Sequence, residues 1–134
     1  MKNKTQSGVE YLIIIGFVTL AITTILIAAY FYIGLTRDKI NMNQVEVLAN
    51  KIISSSESVF FAGIPSQTTI TIYLPNNIRN IEFQNTELII TASTSTGNIK
   101  RAFTSKVPLQ GSIQLGEGSR KLTIKAESDH VEIS

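Results

Sequence analysis

The sequence predicts an α+β protein: a long N-terminal helix, first membrane-spanning and then amphipathic, followed by a small antiparallel β-rich head. Three observations predict it. No charged residue occurs from Tyr11 to Thr36. The stretch from Arg37 to about Phe61 spaces Ile40, Val47, Leu48, Ile52 and Val59 at near-helical intervals, with charges between them. Beyond Pro65, short runs rich in Ile, Thr and Val alternate with turn residues.

The apolar run YLIIIGFVTLAITTILIAAYFYIGLT covers 26 residues. As a helix it extends ~39 Å at 1.5 Å per residue, more than the ~30 Å hydrocarbon core of a bilayer. It is too long for the ~7–15-residue apolar region of a secretory signal peptide. Gly16, Thr19, Thr23, Thr24, Ala28, Ala29 and Gly34 punctuate it. Small residues let helices approach closely in a membrane, and Thr can bond its own backbone. These positions suit either a lone spanning helix or one that packs against copies of itself. Tyr30, Phe31 and Tyr32 stand where an interfacial aromatic belt would be. Lys2 and Lys4 precede the run, and positive-inside reasoning puts this end in the cytoplasm. Glu10 abuts the run. At the headgroup level it would complement the helix dipole, but inside an apolar bundle it would need a positive partner.

The leader MKNKT, the residues Gln6-Ser7-Gly8-Val9-Glu10-Tyr11-Leu12 and the apolar helix behind them together resemble the class III signal peptide of archaeal type IV pilin-like proteins. The resemblance implies cleavage by a prepilin peptidase between Thr5 and Gln6, with Gln6 as the new N-terminus. Thr5 stands where the family usually has Gly or Ala. The resemblance further implies that Glu10 occupies the family's acid position and that residues 6–36 become the filament core. The implied partners are the peptidase, a pilus assembly ATPase with its membrane platform, and other pilin subunits. The implied location is a single-pass membrane precursor, then a cell-surface filament, with adhesion a further possible role of the head.

On this reading residues 1–5 are a leader, 6–36 the transmembrane and filament-core helix, 37–63 its amphipathic continuation and 64–134 the head. Removing Lys2 and Lys4 from 12 Lys+Arg leaves 10 against 10 Asp+Glu, a side-chain balance of zero. Glu10, buried in a bundle, would pair with the freed α-amine of Gln6 on a neighbouring subunit. Cyclisation of Gln6 to pyroglutamate would remove that charge and leave backbone N–H groups or the Ser7 hydroxyl as donors.

The head begins after a stop at Gly63-Ile64-Pro65. Thr68–Leu74 alternates with period two, as a half-buried strand does. Ile78–Phe83, Glu87–Ala92 and Ile99–Thr104 follow, separated by turns at Gln84-Asn85 and Ser95–Asn98. Val107-Pro108-Leu109 reads as edge or loop, because Pro cannot donate to a ladder. Ser112–Leu115 and Lys121–Ala126 read as a hairpin around Gly116-Glu117-Gly118, and His130–Ile133 as a last strand. Such a set suggests a small sandwich or a rolled sheet.

The chemistry-bearing residues are sparse. There is no Cys and no Trp, and one His. That excludes disulfides, thiolate zinc sites and Cys nucleophiles, and argues against His-based catalysis. His130 beside Asp129 reads as a surface residue, and Glu117 as part of a turn. The cations from Arg79 onward are interleaved with seven acids from Glu57 onward, a solvated surface rather than a nucleic-acid patch. No phosphate loop, carboxylate dyad or metal cluster stands out, so the expectation is a non-enzyme without cofactors. The sequon Asn3-Lys4-Thr5 falls in the expected leader and would be unmodified. The competing readings are an uncleaved, membrane-anchored extracellular binding module and a pilin-like component of a substrate-binding assembly.

Overall fold

A computed structural model describes the backbone of residues 2–134 and the side chains of residues 7–134. The side chains of the expected leader, and of the Thr5–Gln6 junction, lie outside the described residues. The chain forms α1 (Lys2–Ala62), then β1 (Gln67–Leu74), β2 (Ile78–Gln84), β3 (Glu87–Thr94), β4 (Gly97–Thr104), β5 (Leu109–Gly111), β6 (Gly118–Ala126) and β7 (Val131–Ile133). It is therefore α+β, a long helix followed by an antiparallel-rich head. It divides into two compact units, Met1–Arg37 and Asp38–Ser134.

The first unit is helical. Three of its threonines satisfy their own hydroxyls. Thr23 Oγ1 donates to Thr19 O (2.8 Å), Thr24 Oγ1 to Leu20 O (2.9 Å) and Thr36 Oγ1 to Tyr32 O (3.0 Å). Each hydroxyl is thereby masked by a backbone carbonyl one turn back, which makes Thr tolerable where water is absent.

The second unit packs the rest of α1 against two sheets. Val45, Leu48, Ala49, Ile52, Ile53 and Val59 are buried, with Ser56 among them. Positions 45, 49, 52, 56 and 59 form one stripe at steps of three and four. The expected stripe was partly different. Leu48, Ile52 and Val59 do lie inside, but Ile40 is 52% and Val47 67% exposed. Val47 stands two positions from Val45, about 200° round a helix, so both cannot face the sheets. The small residues Ala49 and Ser56 instead let the sheets approach. Gly63, at φ 81°, ends the helix. The chain then turns through a cis Ile64–Pro65 bond, closed by Ser66 N donating to Gly63 O (2.8 Å).

One sheet has the order β1-β6-β7-β5 and the other the order β2-β3-β4. All pairings are antiparallel except β5 with β7, which is parallel. The sheets meet where Leu109 N donates to Asn85 O (2.6 Å). Alternation places Ile72 and Leu74 of β1, Leu88, Ile90 and Ala92 of β3, and Leu122, Ile124 and Ala126 of β6 in a single core with the helix stripe.

The expected hairpin of Ser112–Leu115 with Lys121–Ala126 does not form. Both edges of β6 are already taken, by β1 and by β7. The chain leaves the sheet after Gly111, and Ile113 is buried as a plug rather than as a strand residue. Leu109, read from sequence as edge or loop, starts β5, and Pro108 immediately before it accepts a bond from Val131 N (2.9 Å) through its carbonyl.

Among the described residues, four polar side chains tie the helix to the rest of the head. Lys51 Nζ donates to Thr71 O (2.7 Å). Glu57 Oε1 accepts from Lys106 N (3.0 Å). Asp38 Oδ2 accepts from Ser95 N (3.0 Å) and from the Ser95 hydroxyl. Glu46 and Arg101 form an ion pair at 3.7 Å. Exposed ion pairs of that kind contribute little. The bonds to backbone groups carry more, because they also fix where the β3–β4 turn and the loop after β4 lie.

Candidate functional site

The surface that needs explaining is the first unit itself. From Val9 to Leu35 the large apolar side chains are exposed on every side of the helix, Tyr11, Phe17, Tyr30 and Phe31 included. A helix that is apolar all round belongs in a membrane or in a bundle of helices. A contiguous apolar surface of this extent far exceeds the patch that a monomeric protein in water normally shows. Part of α1 is long and apolar enough to cross a membrane, which is consistent with membrane anchoring.

Of the residues singled out from sequence, the side chain of Glu10 is described and those of Thr5 and Gln6 are not. Glu10 is exposed at the start of the apolar run, and no side chain pairs with it among the described residues. Its carboxylate can therefore accept bonds from outside the chain. In hydrocarbon, or between helices, an unpaired carboxylate is strongly unfavourable.

The remaining candidates resolve into local chemistry. Asp129 Oδ1 and His130 Nδ1 lie 2.6 Å apart, and the bond from His130 holds the Asp129 carboxyl below its ordinary range. The pair sits in the turn before β7. Lys125 Nζ donates to Glu127 Oε1 at 2.6 Å, and that bond, with the carboxylate's charge, raises the ammonium pKa. Glu117 is exposed between two glycines of positive φ, Gly116 and Gly118. Among the described residues no three His, Cys, Asp or Glu side chains gather as a metal site.

The sequence reading missed the apolar residues that the head leaves outside. Phe61 is 69% and Ile64 62% exposed, and Tyr73 is half exposed. Their signal was the loss of charge around them: no charged residue occurs from Ser58 to Ile78. A cleft of about 560 Å³ lies between residues 40–51 of α1 and the edge of β1.

No family model, no curated protein and no solved structure matches this chain.

Proposed function

We propose that the chain is a structural subunit of an archaeal type IV pilus-like surface filament, made as a single-pass membrane precursor and polymerised through its N-terminal helix. In this account a prepilin peptidase cuts between Thr5 and Gln6 and removes Lys2 and Lys4. The helix can then leave the bilayer, because burial against like helices replaces lipid contact at little hydrophobic cost. An assembly ATPase and its membrane platform drive that transfer, and the head forms the filament exterior.

The observation that carries the reading is Glu10. It is an exposed carboxylate with no side-chain partner among the described residues, set at the start of a helix that is apolar on all sides. A simple membrane anchor has no use for an acid there beyond the dipole interaction, worth about 0.3–1 kcal/mol. A bundle would use it, because a buried carboxylate selects the register that supplies it with a cation, and removing one partner of such a pair costs about 3–5 kcal/mol. The α-amine of Gln6 on a neighbour would be that cation.

The test has two readouts. Mass spectrometry of the mature N-terminus should give Gln6 or its pyroglutamate, and electron microscopy should show filaments. The variant Glu10→Ala should be processed normally and yield few filaments. Wild-type filament from Glu10→Ala would sink the pairing, and Met1 retained on all of the protein would leave a membrane-anchored binding module instead.

A further inference from the structure

The head carries an apolar projection and an apolar recess, both exposed in the single chain. The projection is Phe61 with Ile64, at the end of α1 and in the turn after it. The Phe61 ring meets Phe60 edge-on, with centroids 6.0 Å apart, and Phe60 itself packs against the core. The projection is thus held rather than loose. The recess is the cleft of about 560 Å³, lined by Ile40, Val47, Leu48, Lys51, Ile72 and Tyr73 among others. Its volume falls within the range of ligand-sized sites, about 300–1,000 Å³.

Charge supports the match. Lys51 is the one charged residue lining the cleft, and its ammonium is already engaged with Thr71 O. The projection lies inside the 58–78 stretch that has no charge at all. Depletion of charge around exposed aromatic residues marks the centre of protein–protein interfaces.

We infer that Phe61 and Ile64 of one copy seat in the Ile40–Val47–Tyr73 cleft of the next, head to tail. The inference rests on the filament reading and supplies its contact between heads. Copies inserted in one membrane share a helix polarity. Phe61 then reaches the level of a neighbour's Val47 only if the two copies are staggered along the helix. The 14 residues between these positions correspond to about 21 Å. A staggered, heterologous contact cannot close into a ring, so repetition gives an open filament.

The chain has no Cys, so introduced thiols report cleanly. Full-length Val47→Cys and Phe61→Cys are each made alone, together in one chain, and co-expressed as single variants, then treated on cells with a short bis-maleimide. The expected result is a ladder of covalent oligomers from the double variant, only dimers from the co-expressed singles and none from either single variant. Dimers from one single variant alone would mean a like-to-like contact and overturn the proposal. Filaments visible by microscopy without the ladder would overturn it while leaving the filament reading intact. Absence of filaments from the unsubstituted chain, together with no ladder from the double variant, would overturn both. Phe61→Asp and Val47→Asp provide a second test: each should be processed normally and lose filaments, and normal filaments from either would refute the contact.

Discussion

Gly111 is the point where the head's topology is most exposed to a single change. It sits at φ 137°, a region that side chains rarely adopt, and a Cβ there would lie 2.0 Å from Ile133 O. Replacing it with Ala imposes two separate costs. The backbone strain is worth about 1–3 kcal/mol. The steric conflict then forces β5 away from β7, whose parallel register is Leu109↔Val131, Gln110↔Glu132 and Gly111↔Ile133. Losing two or three of those backbone bonds costs about 1 kcal/mol each, so Gly111→Ala should destabilise by roughly 3–6 kcal/mol. Gly97 is the matched control. Its φ is 129°, but nothing lies within 4 Å of its Cβ position, so Gly97→Ala should cost only the strain, about 1–3 kcal/mol. The assay is thermal unfolding of the full chain in detergent, followed by the β-sheet signal. For a head of under a hundred residues, 1 kcal/mol shifts Tm by about 4–8 °C. Gly111→Ala should therefore melt on the order of 10–20 °C below Gly97→Ala. Equal melting of the two variants would refute the claim that close approach of β5 to β7 is what the glycine provides.

Three other changes probe different parts of the same unit. Ser56 Oγ is fully buried and has no hydrogen-bond partner; Ser56→Ala should leave chemical-denaturation stability unchanged or raise it by about 1 kcal/mol, since it removes an unmet polar group. Asp38→Ala removes both bonds to Ser95; amide exchange at Ser95 should accelerate, with only about 1 kcal/mol of stability lost at this exposed site. In the pH profile, the lowered Asp129 pKa makes its contribution to stability present above the ordinary carboxyl value of 3.8 and lost as pH falls through that region. The raised Lys125 pKa makes its contribution present below 10.5 and lost as pH rises beyond it. Asp129→Asn should thus flatten the acid limb of a stability–pH curve and Glu127→Gln the alkaline limb, as read by urea midpoints across pH.

The helix and most of the strands were legible because their signals are local. An uncharged run of 26 residues, alternation in Thr68–Leu74, and Asn- or Gly-bearing turns each fix structure from neighbours alone. What was not legible depended on competition between distant segments. Nothing in Ser112–Leu115 says that β1 and β7 already occupy both edges of β6. Ile40 and Val47 look like core residues in an apolar count, yet the register of Ala49 and Ser56 against the sheets decides which stripe goes inside. The same holds for the candidate site. Glu10 stood out from sequence as an acid at the edge of an apolar run, whereas Phe61 and Ile64 gained meaning only once the fold left them exposed. These two misreadings point the same way. Ile40 and Val47, which local periodicity assigns to a core, are left exposed by the head, as is Phe61; Phe61 lies in the uncharged stretch from Ser58 to Ile78, and Lys51, the cation lining the cleft with Ile40 and Val47, is engaged with Thr71 O. A single chain in water would be better served by polar residues at those positions. A chain whose outer helix surface is covered by its own copies would not.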